Sequence, residues 1–223
     1  MMPAALKTRI ETHLGGEVFT FRPKPAPRTV PTGIPQVDSL CGGFPRGAIT
    51  EISGPASSGR TTLLHSILSE TTRQGEFCAL VDTSDAFDPA SAAAAGVDLP
   101  HLLWVRCAAQ KRQALAVTDL LLQNGGWGIV VMDLADIEPR ETRHIPLHTW
   151  YRFRRAVEST PTVLLLLGQE RLAGSCSSLI LETCKQKSPW HGALLQGSAL
   201  HVSLRKPPSP TYSIYSAKIL KHP

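Results

Sequence analysis

An α/β fold is predicted, with a mostly parallel central sheet, helices on both faces and an antiparallel C-terminal extension. Three observations predict it. Short apolar segments without polar alternation recur along the chain, as in strands buried on both faces. Segments with helical spacing separate them from residue 61 to residue 158. Beyond residue 178, strand-like segments follow one another with no helix between them.

The elements follow in order. Residues 4–14 read as a short helix, with Leu6, Ile10 and Leu14 at helical spacing. The stretch FTFRPKPAPRTVPTGIP carries Pro23, Pro25, Pro27, Pro31 and Pro35, a density that favours an extended linker. We place a boundary here, with a helix and Pro-rich arm over residues 1–28 and the main domain over 29–223. In that domain Ala48–Ser53 is a strand, followed by a Gly/Ser loop and a helix over Thr61–Arg73. Phe77–Asp82 is the second strand, Asp88–Ala95 a short helix and Leu102–Arg106 the third strand. Lys111–Leu122 is a helix, Gly128–Asp133 a strand, Leu147–Glu158 a helix and Thr162–Leu167 a strand. Leu179–Leu181, Ala199–Leu204 and Tyr212–Ile219 make the antiparallel extension.

Composition narrows the function classes. No apolar run approaches the ~20 residues of a membrane-spanning helix. The opening MMPAALKTRIETHLGG is amphipathic and of mixed charge, unlike a secretory signal. Five widely spaced cysteines and eight histidines form no ligand-spaced cluster, so buried thiols of a cytoplasmic protein are expected rather than a metal centre. The net charge is +5, but its distribution is uneven. From Thr183 onward there is no acidic residue, while Lys185, Lys187, Arg205, Lys206, Lys218 and Lys221 are all basic. Either a polyanion-facing surface or a solvated basic edge accounts for that.

The segment GPASSGRTT, Gly54 to Thr62, lies between a strand and a helix. It fits the phosphate-loop pattern G-x4-G-K-[ST] except that Arg60 replaces lysine. Backbone N–H groups of such a turn curl around phosphate oxygens, and the helix N-terminus adds partial positive charge. Gly54, Ser58, Gly59, Arg60, Thr61 and Thr62 are therefore nucleotide-binding candidates, with Thr62 capping the helix. Asp133 ends an apolar strand, the place of a carboxylate that holds Mg²⁺ together with the Thr61 hydroxyl. Lysine is a compact point charge, whereas guanidinium is planar and committed to fork geometry. ATP with Mg²⁺ is the cofactor this loop implies, in an altered pose.

Four ordered segments together resemble the RecA/RadA recombinase core. TGIPQVDSLCGGFPRGAITEISGPASSGRTT is similar to the lead-in and phosphate loop of that family. VDTSDAFDP and AAGVDLPHLLWVRC are similar to the segment after its second strand. TVLLLLGQERLAG is similar to the strand that ends in its nucleotide-sensing glutamine, here Gln169, ahead of the second DNA-binding loop. The match covers roughly residues 29–182. More narrowly, the short length and WYRFRRAVESTPTVLLLLGQERLAGSCSSLILE resemble the ImuA type of RecA-like protein. That resemblance implies a RecA-like P-loop domain active in DNA repair and the SOS response. It also implies a Y-family polymerase, an associated polymerase subunit and RecA as partners in translesion synthesis.

Departures from the family pattern bear on catalysis. The family glutamate that orients the attacking water aligns with Ser84, and Asp85 stands beside it. Serine is no general base near neutral pH, and a positioned base is worth on the order of 10²–10⁴ in rate. The asparagine usual before the glutamine is Gly168. With Arg60, these changes lead us to expect a degenerate ATPase rather than an active DNA-dependent one. The remaining alternative is a RecA-like regulatory protein unrelated to DNA.

Single-stranded DNA is the expected nucleic-acid ligand. Arg140 and Arg143 occupy the place of the first DNA-binding loop, and Arg154 and Arg155 follow them. Trp150, Phe153 and Val157 have the spacing of a helix face turned to the core. CKQKSPWHG, with Lys185 and Lys187, is either a second DNA contact or a solvated hairpin connection. Filament-like self-association is a further implication of the resemblance.

Overall fold

A computed structural model of the chain describes residues 28–108, 110–184, 190–191, 194–195, 198–206 and 215–219. The expected helix over residues 4–14, the arm before residue 28, and Lys185, Lys187 and Lys221 lie outside the described residues.

Twelve strands are described. β1 (Thr29–Val30) pairs antiparallel with β2 (Phe44–Pro45), and β9 (Trp190–His191) with β10 (Leu194–Leu195). The other eight are β3 (Ala48–Ser53), β4 (Cys78–Asp82), β5 (Leu102–Arg106), β6 (Ile129–Asp133), β7 (Val163–Gly168), β8 (Leu179–Cys184), β11 (Ser198–Lys206) and β12 (Tyr215–Ile219). They form one sheet in the order β12-β11-β8-β3-β7-β6-β4-β5. From β8 to β5 every pairing is parallel, and β11 and β12 are antiparallel to their neighbours. The strand at Leu179 thus extends the parallel sheet, where an antiparallel strand was expected. Its parallel course follows from the return of the chain through residues 169–178, which brings Leu179 level with Thr50 at the start of its pairing with β3.

Six helices complete the described fold: α1 (Pro35–Cys41), α2 (Arg60–Arg73), α3 (Pro89–Ala94), α4 (Lys111–Asn124), α5 (Pro139–Arg143) and α6 (Leu147–Glu158). Alternate residues of each strand serve opposite faces of the sheet. Ile52, Leu80, Val131 and Leu165 pack with Leu63, Leu64, Ile67 and Leu68 of α2 on one face. Ile49, Val81, Val130 and Leu164 pack on the other with Leu121 and Leu122 of α4 and with Trp150, Phe153 and Val157 of α6. Trp150 and Phe153 are therefore core, each 2% exposed or less, while Tyr151 on the same helix faces out. Full burial of such side chains contributes roughly 1.5–3 kcal/mol each.

Two local expectations are corrected. The Pro-rich stretch was expected to stay extended through Pro35, but Thr29–Val30 forms β1 and Pro35 opens α1. Proline suits the first helical turn because its missing N–H has no partner there in any case. The helix after the phosphate loop begins at Arg60 with Gly59 as its N-cap, and no side chain caps it, so Thr62 is not the cap.

Candidate nucleotide site and its surroundings

β3 and β4 are consecutive in the chain but lie apart in the sheet, separated by β7 and β6. The crevice at the C-terminal ends of these strands is where open α/β sheets bind ligands. The loop Gly54–Gly59 leaves β3 there. Gly54 N–H donates to the Gly168 carbonyl at 3.2 Å, tying the loop to β7. On the other side Ser58 Oγ and Thr183 Oγ1 are 2.6 Å apart, and the Thr183 hydroxyl donates to the Ser53 carbonyl at 3.2 Å. Ser58 thus holds the base of the loop to β8. Ser57 (φ 59°) and Gly59 (φ 94°) both take the left-handed conformation that coils such a loop. Glycine suits residue 59 because its φ is strained for other residues, and a Cβ would also stand 2.5 Å from Leu200 Cδ1 of β11.

Arg60 follows directly and is 8% exposed. Its Nη1 is buried and has no hydrogen-bond partner. Arg60, Thr61, Phe87, Asp133 and Asp136 line a cavity of about 70 Å³. That volume suits a phosphate group and falls far below the several hundred Å³ of a drug-sized pocket. An unpaired guanidinium nitrogen is costly to bury, and an anionic oxygen is the partner it lacks. The residues therefore fit a phosphate. Thr61, Asp133 and Asp136 bring side-chain oxygens to the cavity wall, and of these the sequence expectation named Thr61 and Asp133 for Mg²⁺.

Asp133 closes β6 at the floor of this cavity. Burial pushes its carboxyl pKa up to about 6; Asp82 and Asp136 add to the rise, and the Ala135 N–H (2.8 Å) and Arg60 oppose it. The folded protein therefore holds this proton more tightly than the unfolded chain, whose value is 3.8. Stability from this residue is greatest below that value and falls as pH rises toward about 6. In Mg²⁺-free buffer, Asp133→Asn is expected to stabilise the protein by about 1–3 kcal/mol near neutral pH. The gain should fade below about pH 4. Urea melts of both proteins across that range check it, and an equal gain at both ends would refute it.

Asp82 was not among the sequence candidates, yet it organises the region. Its buried carboxylate accepts from Ser84 N (3.0 Å), Phe87 N (3.0 Å), Ala86 N (3.4 Å) and Trp104 Nε1 (3.2 Å). The signal was available: Asp82 ends an apolar strand just as Asp133 does, and the two are register partners. Asp82 fixes the turn that carries Ser84. Ser84 Oγ lies 3.5 Å from the Thr83 hydroxyl, which donates to the Asp133 carbonyl at 2.6 Å. Asp85 is directed elsewhere. It sits at φ 58° and forms a two-pronged ion pair with Arg106, whose guanidinium stacks 5.2 Å from the Trp104 ring centroid. That hydrogen-bonded pairing holds its carboxyl below the usual range. Asp85 is thus engaged on the edge strand and does not line the cavity.

Gln169 follows β7 and is exposed. An asparagine at residue 168 is excluded sterically, since a Cβ there would lie 2.8 Å from the Glu170 carbonyl. The turn beyond is bound to the sheet by Glu51, a second residue the sequence reading missed. This strand glutamate is 1% exposed. It accepts from Leu172 N (2.7 Å), Ala173 N (3.1 Å), Gly174 N (2.8 Å) and the Ser177 hydroxyl.

The basic candidates are spread over the surface. Arg140 and Arg143 were expected in a loop, but they lie on the short helix α5, which Pro139 opens. Arg140 is exposed, whereas Arg143 forks onto Glu170 (Nε–Oε2 2.9 Å). Arg154 and Arg155 are exposed on α6. Among the described residues no His/Cys/Asp/Glu group of three is placed to hold a metal, and all five cysteines are free. No helix among them is long and apolar enough to cross a membrane.

Comparison with known proteins places this geometry. Protein RecA of Brucella anthropi is 43% identical over 115 residues, 50% of this chain and 32% of that protein. Protein RecA of Chlorobaculum parvum is 47% identical over 92 residues, 41% of this chain and 26% of that protein. The chain thus spans about a third or less of the length of these relatives. A crystal structure of the RadB recombinase aligns with a TM-score of 0.64 at 18% identity, covering 84% of this chain and 96% of that one. Residues 5–143, more than half of the chain, match the RecA N-terminal domain. The chain belongs to the RecA N-terminal domain family.

Proposed function

We propose that this protein is a DNA-repair accessory of the RecA type that binds nucleotide and hydrolyses it slowly or not at all. The observation that carries this reading is the turn after β4. By the family resemblance Ser84 stands where the water-orienting acid would be, and the neighbouring Asp85 is committed to Arg106. Arg60 adds a second departure, a fork-shaped cation in a loop built for lysine. Phosphate binding survives in this reading, because the loop is intact and the Arg60 Nη1 lacks a partner.

The similarity to ImuA-type proteins extends the proposal to error-prone translesion synthesis. A Y-family polymerase, its associated subunit and RecA would be the partners, and self-association is the alternative the family suggests. Single-stranded DNA would bind through Arg140, Arg154 and Arg155, with Arg143 already paired to Glu170. An active DNA-dependent ATPase is the competing reading, favoured by the retained Thr61 and Asp133.

One pair of measurements on the purified protein separates the readings. Phosphate release should stay near background with or without single-stranded DNA, and DNA affinity should fall steeply as salt rises. Robust DNA-stimulated hydrolysis that Asp133→Asn abolishes would establish the active enzyme instead. Affinity unchanged between low and high salt would remove the phosphate-contact model of DNA binding.

A further inference from the structure

The flank of the phosphate loop away from the cavity leans on the C-terminal extension of the sheet. Thr183, near the end of β8, is fully buried, and Ser58 is 3% exposed. Their hydroxyl oxygens are 2.6 Å apart. Each hydroxyl has one hydrogen to give. The Thr183 hydrogen goes to the Ser53 carbonyl at 3.2 Å, so within the pair Ser58 donates and Thr183 accepts. The Ser58 hydrogen is thereby used inside the protein and is not left for a phosphate oxygen. Its neighbour Ser57 stands at φ 59°, a left-handed conformation that a serine keeps only where its surroundings impose it. Packing on this flank is tight. A Cβ on Gly54 would lie 2.3 Å from Thr183 Oγ1, and one on Gly59 would lie 2.5 Å from Leu200 Cδ1. The loop is therefore pressed against β8 at one end and β11 at the other, and the Ser58–Thr183 hydrogen bond fastens it there.

We propose that Thr183 is a positioning residue for phosphate binding: its hydroxyl, through Ser58, holds the loop in the coil that readies its backbone N–H groups for a phosphate. The inference rests on the nucleotide-binding part of the proposed function. It adds a residue outside the loop, on β8, that sets the affinity of the site. Without the hydroxyl the loop is coiled in only a fraction of the molecules, and apparent affinity falls by that fraction. Thr183 itself touches no phosphate, and Ser58 contributes by its place rather than by its hydroxyl.

Titration calorimetry of the full chain with ATP and Mg²⁺ tests this, and circular dichroism of each variant checks folding. Thr183→Val keeps the shape and removes the hydroxyl. It should weaken ATP binding about 5- to 20-fold, the worth of one hydrogen bond whose partner stays buried. Thr183→Ser keeps the hydroxyl and should bind within about twofold of wild type. Ser58→Ala, a change in the loop itself, should lose a factor similar to Thr183→Val and gives the same reading if that variant does not fold. The double variant should lose no more than the weaker-binding single one, because the two residues share one bond. Wild-type affinity in Thr183→Val or Ser58→Ala, a Thr183→Ser protein as weak as Thr183→Val, or losses that add in the double variant would each overturn the proposal. No ATP binding by wild type would sink the nucleotide-binding reading and this inference with it, so the two failures are told apart by wild type alone.

Discussion

Replacing Glu51 by alanine should destabilise the protein by about 3–5 kcal/mol, one of the largest losses any single substitution here can cause. The carboxylate is buried in the middle of β3 and receives three backbone N–H groups and one hydroxyl from residues 172–177. Alanine removes the acceptor and leaves those donors in a place water does not reach readily. Each unsatisfied donor costs on the order of 1–3 kcal/mol, and partial rearrangement keeps the total below their sum. For a chain of 223 residues the expected change lowers the melting temperature by roughly 6–20 °C.

A graded series distinguishes this mechanism from general damage. Glu51→Gln keeps one oxygen but turns an NH₂ toward a donor, so it should lose roughly 1–2 kcal/mol. Urea melts with an unchanged slope would show that stability moved and the unfolded reference did not. Hydrogen exchange gives the local reading: the amides of Leu172, Ala173 and Gly174 should lose protection before the rest of the sheet does. An alanine variant within about 0.5 kcal/mol of wild type would mean that the turn stands without its carboxylate.

Glu51 also shows where the sequence was legible and where it was not. The parallel sheet could be read because strands such as Val163–Gly168 carry no polar alternation at all. The same reading treats a lone glutamate in Ala48–Ser53 as noise, since apolar counting has no place for a polar group satisfied by a distant turn. Asp82 was overlooked for a related reason. Its partners, from Ser84 to Trp104, are assembled only when β4 and β5 pair. Proline density misled in the other direction. Pro35 opens a helix, and composition alone does not separate such a proline from one in an extended linker.

The candidate site was more legible, because a phosphate loop is local. Gly54 to Thr61 are contiguous, and Asp133 is found by the same rule of a strand ending in an acid. What contiguity does not carry is the direction of a side chain. Asp85 is adjacent to Ser84 in sequence, yet its left-handed backbone turns it to Arg106. Arg143 and Glu170 are separated by 27 residues, and only the alignment of β6 with β7 brings their elements together.

If hydrolysis is slow as proposed, supplying lysine at residue 60 and glutamate at residue 84 together should raise turnover. The double variant Arg60→Lys with Ser84→Glu is expected to hydrolyse ATP about 10²–10⁴ faster than Arg60→Lys alone, the usual value of a positioned base. Residue 84 is chosen by the family resemblance, and its turn is anchored next to the site. Asp82 pins its backbone N–H at 3.0 Å, and the Thr83 hydroxyl ties the same turn to the strand end that carries Asp133. Neither change should suffice by itself. With Arg60 unaltered, a glutamate at residue 84 that reached the cavity would meet a guanidinium whose Nη1 has no partner, and the two would pair instead of orienting water. Arg60→Lys alone would leave the water unactivated. The gain should therefore be strongly non-additive, as for residues that act as a unit. Asp85→Asn serves as the control: its carboxylate is held by Arg106 away from the cavity, so turnover should not respond to it. Phosphate release at saturating ATP and Mg²⁺ measures all four proteins. If the double variant is no faster than Arg60→Lys, residue 84 is not the place of a missing base, and the proposed slow hydrolysis would rest on Arg60 alone.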